Sequence, residues 1–297
     1  MLTSHRDLHD PLLQAFPFVH AISAKGSSRE NQCYFASATY WYLNGTIDAF
    51  NGWSAASQRY VGSHFDRSRR YYWNERLFAK VFLRAGSYAQ INAFDIAREA
   101  DFLIDYRDVL KDPPQLIFAQ QNEHECWLVR EKIHGELLLE VMHSAREYDS
   151  YALLREILLQ LVALEQRNLY HSDLRTWNVL IRPDNSAILI DYGAIISIRK
   201  NCHWPSNIFL AFWIFVWSVT TRTPIMSSAF LPPQFRPSKL PRPFQTWAYR
   251  FWNIEPTAWS FQRILALLES EYDKAPLHEE TQLIEVLMQD LEGRITS

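Results

Sequence analysis

At 297 residues, 48% hydrophobic and 21% charged, the sequence can form one large domain or two lobes around a substantial core, and is too apolar to stay disordered. A formal net charge of −3 provides no global basic field, so no nucleic-acid partner is expected. Three cysteines, Cys33, Cys126 and Cys202, lie far apart with no CxxC pair, which excludes a zinc framework and points to reduced thiols in a cytoplasmic protein.

Residues 1–31 are polar with scattered prolines and read as an N-terminal extension. The opening MLTSHRDLHDPLLQAF has no basic region followed by an apolar core, so it is no signal peptide. From Gln32 to Ile133 the chain is rich in Tyr, Phe and Trp in short alternating runs. This pattern predicts strands at 33–42, 57–64, 69–74, 76–83, 115–120 and 126–133. One helix is predicted among them at 92–105, with Asn92 as its cap.

From Gly135 onward helices dominate. Apolar residues at 153, 154, 157, 158, 161, 162 and 164 have helix period and predict a helix over 149–168. Two short strands follow, Val179–Ile181 and Ala187–Ile190, joined by a turn in which Pro183, Asp184 and Asn185 suit the backbone. The apolar run Ile208–Val219 is well short of the about 20 residues a bilayer span needs. It reads as a buried helix over 207–221 with Asn207 as cap, and no transmembrane span is expected. A proline-rich stretch at 224–243 carries Arg236, Lys239 and Arg242; an ordered loop is favoured over an acceptor groove or a contact with an anionic membrane surface. Helices near 257–272 and 279–292 complete the chain, the last reading as packing on the helical lobe. The expected organisation is an extension (1–31), a β-rich lobe (32–133), a helical lobe (134–275) and a C-terminal helix (276–297), with a cleft between the lobes.

Residues 171–193 read HSDLRTWNVLIRPDNSAILIDYG. The pattern is HxDxxxxN, a two-strand hairpin, then an Asp, an aromatic residue and a Gly. Polar residues around a hairpin can be plain loop residues, but the acid that ends an apolar strand argues for a site. Phosphoryl transfer from ATP needs these residue types: an Asp to orient the attacking hydroxyl and take its proton, and an Asn with a second Asp to hold Mg²⁺ on the phosphates. Asp173 is the candidate base, and Asn178 and Asp191 are the candidate metal ligands. Gly193 is expected to let the backbone turn sharply.

On these motifs the chain resembles the protein-kinase-like fold, an α+β architecture with a β-rich N-lobe and a helical C-lobe. The resemblance implies ATP and Mg²⁺ as cofactors. It puts Arg175 where a Lys usually touches the γ-phosphate, an equal charge with different geometry. It also implies a strand Lys paired with a helix Glu. Lys80 is a lone charge in the apolar strand RLFAKVFLR, and Glu99 lies on the apolar side of the predicted helix, so the two are expected to pair. The segment from Arg130 to Gly135 falls at the hinge, where backbone groups of Glu131 and Ile133 would meet adenine. No GxGxxG precedes Lys80; Gly62, with Ser63 and Ser68, is the only candidate phosphate cover. Phe78 stands two before the Lys, where protein kinases usually have Ala. Ser172 replaces the Arg of HRD and no APE motif follows Gly193, departures that point away from a regulated protein kinase.

A narrower resemblance, over about residues 32–220, is to the kinase domains of the bifunctional methyltransferase–kinases that terminate O-antigen chains. It rests on YHSDLRTWNVL and LIDYGAI, with YWYLNG, Trp53-Ser54 and RRYYWNERLFAKVF upstream. It implies phosphorylation of the terminal sugar hydroxyl of a growing polysaccharide in lipopolysaccharide biosynthesis. The implied partners are a glycan acceptor, lipid-linked or free, and a glycosyltransferase. The sequence before Gln32 has no room for a methyltransferase domain, so a kinase working alone or with a separate methyltransferase is expected. The expected location is cytoplasmic, and peripheral at the inner membrane if the acceptor is lipid-linked. Two alternatives stay open: a small-molecule kinase of the aminoglycoside or choline type, and a nucleotide-binding pseudokinase scaffold.

Overall fold

The structure is a computed structural model and describes residues 54–57, 69–73, 77–84, 89–121, 125–197, 206–225, 237–255 and 258–274. The strand expected at 33–42, most of that at 57–64, the helix at 279–292 and residues 226–236 of the proline-rich stretch lie outside the described residues. The described chain divides into two units. Unit one comprises residues up to Ile133 together with Asp191–Ile195; unit two comprises His134–Ile190 and residues from Ile196 onward.

Unit one is an antiparallel sheet of β1 (Ser54–Ser57), β2 (Arg69–Trp73), β3 (Leu77–Leu83), β4 (Leu116–Gln121) and β5 (Glu125–Glu131), in the order β1-β2-β3-β5-β4. Strand β1 ends at Ser57, the first residue of the strand predicted at 57–64, whose remainder lies outside the described residues. Its SAAS sequence has weak strand preference, and pairing with β2 sets its conformation. The register of β3 places Phe78 opposite Arg130, Lys80 opposite Leu128 and Phe82 opposite Cys126. The two-residue period of the pleat therefore aligns Phe78, Lys80, Phe82 and Arg130 on one face. Helix α1 (Ala89–Asp105) buries Asn92, Ile96, Glu99, Ala100, Phe102 and Leu103, a helix-period stripe. It begins three residues earlier than predicted. Asn92 is therefore not its cap but a buried residue whose Oδ1 accepts from Arg69 Nε at 2.9 Å.

Unit two contains β6 (Glu136–Leu137), α2 (Leu138–His143), α3 (Ser150–Gln166), β7 (Leu169–His171), β8 (Val179–Ile181), β9 (Ala187–Leu189), α4 (Ser206–Thr221), α5 (Arg242–Trp252) and α6 (Phe261–Glu271). Asp149 caps α3 by accepting from the N–H groups of Tyr151 and Ala152. The β8–β9 hairpin pairs Val179 with Leu189 and Ile181 with Ala187. Its turn closes through Asn185, left-handed at φ 65°, and the Asp184 carboxylate, which accepts from Ser186 N. Helix α4 is the predicted buried helix: Phe212, Trp213 and Phe215 are at most 1% exposed. Aromatic edges from Trp247, Phe251, Trp252 and Phe261 pack around it. No helix among the described residues is long and apolar enough to cross a membrane. Helix α5 was not anticipated, because RPFQTWAYRFW opens inside the proline-rich stretch. Pro243 sits in its first turn, where no intrahelical donor is needed.

Candidate active site

In unit one, Lys80 is 4% exposed and Glu99 0%. The Lys80 ammonium donates to Glu99 Oε2 at 2.5 Å and to Asp191 Oδ1 at 2.5 Å. Burial alone would lower the Lys80 pKa. The carboxylates of Asp191 and Glu99 outweigh it and hold the group above the ordinary lysine value, so Lys80 is a cation at neutral pH. The expected Lys80–Glu99 pair is present, and Asp191 completes a two-carboxylate cradle around the ammonium.

Asp191 holds this position in left-handed backbone, φ 63° and ψ 59°, a region aspartate visits more readily than most residues. Behind it Tyr192 is fully buried and stacks on Phe102 with ring centroids 5.2 Å apart. This fixes the turn Tyr192–Ala194 against α1.

Sequence reasoning passed over one member of the site. Arg130, 3% exposed, donates from Nε to Glu99 Oε1 at 3.2 Å. Its guanidinium lies 4.6 Å from the centre of the Phe78 ring and 6.0 Å from that of Tyr192. The sequence signal was weak: Arg130 ends the apolar run CWLV beside Glu131, so unlike Lys80 it is not a lone charge inside an apolar strand.

The expected adenine-facing residues differ from one another. The Glu131 N–H donates to Gln115 O at 2.9 Å, its carboxylate accepts from Gln115 N, and its carbonyl accepts from Arg130 Nη1. The two bonds to Gln115 tie the end of β5 to the residue before β4. Ile133 is half-buried and makes no hydrogen bond among the described residues. Gly62, Ser63 and Ser68 lie outside the described residues.

In unit two, Asp173, Arg175 and Asn178 are held by their own network. Asn178 ends the single turn Thr176–Asn178. Its Nδ2 donates to both the carbonyl and the carboxylate of Asp173, each at 2.9 Å. Arg175 Nε is 3.7 Å from Asp173 Oδ1, an ion-pair distance rather than a hydrogen bond. The Asp173 side chain is 44% exposed and that of Arg175 14%, so the carboxylate reaches solvent while the guanidinium beside it is largely covered. The loop is anchored from below: His171 Nε2 bonds Ile190 O at 2.9 Å, and Ile190 N donates to Asn178 O.

Both side-chain bonds of Asn178 use its amide nitrogen, which leaves the lone pairs of Oδ1 for a cation. No group of three or more His, Cys, Asp and Glu among the described residues could cage a metal. An amide oxygen so placed suits Mg²⁺, which is usually held by few protein ligands with substrate phosphates and water.

No protein-family model matches the sequence. The O-antigen chain terminator bifunctional methyltransferase/kinase WbdD of Escherichia coli is 29% identical over 245 residues, covering 80% of this chain and 34% of that protein. The medium-resolution structure of the bifunctional kinase–methyltransferase WbdD has a TM-score of 0.65 at 27% identity, over 81% of this chain and 51% of that one. The co-crystal structure of WbdD with the kinase inhibitor LY294002 has a TM-score of 0.62 at 28% identity, over 75% and 48%. This chain thus spans about a third of the length of the curated relative and about half of the solved chains. Its fold is protein-kinase-like and α+β, and the chain is homologous to the kinase domain of WbdD.

Proposed function

We propose that this chain is an ATP- and Mg²⁺-dependent phosphotransferase that moves the γ-phosphate onto a hydroxyl at a glycan terminus, in O-antigen chain termination. The observation that carries the reading is the buried ammonium of Lys80 shared by Glu99 and Asp191. A cation so placed would bind phosphate oxygens, and a carboxylate at its side would hold a metal that offsets their charge.

In this reading Asp173 accepts the proton of the acceptor hydroxyl. That oxygen bonds to the γ-phosphorus as the bond to the ADP oxygen breaks. Arg175 offsets charge on the transferring group, and Asn178 and Asp191 are the magnesium ligands. Bound Mg²⁺ neutralises charge on the phosphates. Ile133 is the favoured backbone partner for adenine, since Glu131 is occupied by Gln115 and Arg130. The glycan acceptor is supported by the homologous protein, an O-antigen chain terminator. A cytoplasmic place, peripheral at the inner membrane, suits a lipid-linked acceptor, and a separate methyltransferase or glycosyltransferase would be the working partner.

The test is transfer of label from γ-labelled ATP to oligosaccharides, run beside a panel of aminoglycosides and choline-like alcohols. Labelled oligosaccharide is expected. Asp173→Asn should abolish transfer while holding Mg-ATP affinity within about twofold, because the base acts on the acceptor and not on the nucleotide. Label found only on small molecules would reassign the acceptor. Full activity in Asp173→Asn would remove the base assignment.

A further inference from the structure

We infer that Arg130 is a positioning residue that keeps Lys80 available to the nucleotide phosphates by acting as the standing counter-charge of Glu99. The inference rests on the phosphotransferase reading. Glu99 is 0% exposed, and a carboxylate so buried needs a cation at all times. Lys80 alone is a poor guarantor of that. Its ammonium is divided between Glu99 Oε2 and Asp191 Oδ1, and arriving phosphates would compete for it.

Arg130 cannot be drawn away in the same manner. Its Nε holds the other oxygen of Glu99 at 3.2 Å, and its Nη1 holds the carbonyl of Glu131 at 3.0 Å. The plane of its guanidinium is covered by Phe78 at 4.6 Å. The two cations therefore divide the Glu99 carboxylate, one oxygen each, and of the two only Lys80 has a second anionic partner among the described residues. The cluster of Lys80, Arg130, Glu99 and Asp191 balances two positive charges against two negative ones. Without Arg130, two carboxylates would share one ammonium, and Lys80 would be bound harder at the moment phosphate needs it. The effect falls on the phosphates and not on the base or ribose, and this separates it from a general role in packing.

Isothermal titration of the full chain with Mg-ATP and, separately, adenosine tests the inference in wild type, Arg130→Met, Arg130→Lys and the double variant Arg130→Met with Glu99→Gln. Arg130→Met should weaken Mg-ATP by about tenfold while adenosine stays within about twofold. Arg130→Lys should fall between. The double variant should bind Mg-ATP more tightly than Arg130→Met alone, because the carboxylate that captured Lys80 has lost its charge. Equal losses for Mg-ATP and adenosine, no recovery in the double variant, or unchanged Mg-ATP affinity in Arg130→Met would each overturn it. If Arg130→Met does not fold, the ratio of the two losses in Arg130→Lys decides. A wild type that binds no Mg-ATP removes the phosphotransferase reading and this inference with it. A wild type that binds, with variants that behave otherwise, removes this inference alone.

Discussion

Gly193 approaches Asp95 so closely that a Cβ built on it would sit 2.6 Å from the Asp95 carbonyl oxygen. The contact joins the turn after Asp191 to helix α1, so the acid and the helix that carries Glu99 are located against each other by backbone. The glycine was expected to serve a sharp turn. The left-handed residue is Asp191 instead, at φ 63°, and the glycine serves the close approach.

Gly193→Ala should therefore destabilise by about 1–3 kcal/mol, the usual cost of forcing atoms into a packed site where the neighbour is backbone. Urea unfolding of the two proteins measures it. An unchanged midpoint would mean that α1 gives way at no cost.

The buried charges predict an order of stabilities. Lys80→Met leaves Glu99 with Arg130 as its partner. Glu99→Ala leaves Arg130 buried with no carboxylate among its described ion pairs, and Lys80 with Asp191 alone. Removing one side of a buried pair costs about 3–5 kcal/mol when the remaining charge is uncompensated. Glu99→Ala should approach that range and Lys80→Met should cost clearly less. Equal unfolding free energies would contradict the division of Glu99 between two cations.

Much of this was legible in the sequence because each signal is local. The period of α3, the turn at Pro183–Asn185 and the spacing of Asp173, Asn178 and Asp191 all lie within short windows. The Lys80–Glu99 pair was also legible, since each is a charge on an apolar face. Arg130 was missed because its partner, Glu99, lies 31 residues away on helix α1, a contact set by tertiary packing and not by any local window. Helix α5 was missed because its prolines masked the helix-period apolar stripe of Phe244, Trp247, Ala248 and Phe251.

Tyr148 gives unit two a signature at alkaline pH. Its hydroxyl donates to Val219 O at 2.9 Å near the end of α4. Burial raises its pKa to about 12 from 10.0, although the Arg222 guanidinium against its ring pulls the other way. The folded state thus holds this proton more tightly than the unfolded chain does. The stabilisation is complete below pH 10 and is lost as pH rises toward about 12. Because the ring is only partly buried, the loss is about 1 kcal/mol after screening. Tyr148→Phe should be less stable than wild type at pH 8 and lose less stability between pH 10 and 12. Parallel curves for the two proteins would exclude Tyr148 as the group responsible.

Asn178 makes the magnesium assignment testable without any acceptor. Its Nδ2 is committed to Asp173, so in the proposed reading Oδ1 is the atom that would meet the cation. Asn178→Ala removes that oxygen and releases Asp173, but leaves Lys80, Glu99 and Asp191 unaltered. A ligand that binds the folded state stabilises it by an amount that grows as the logarithm of one plus the ratio of free ligand concentration to Kd, and so raises its melting temperature. The shift produced by ATP should therefore require more magnesium in the variant, by about tenfold at half-effect, with the shift at saturating magnesium largely retained. Asp191→Asn, which keeps a residue able to adopt left-handed backbone, should reduce the shift at every magnesium concentration, because the carboxylate itself is gone. A folded Asn178→Ala variant with the wild-type magnesium dependence would leave Asn178 with a purely structural duty, as the clamp that orients Asp173.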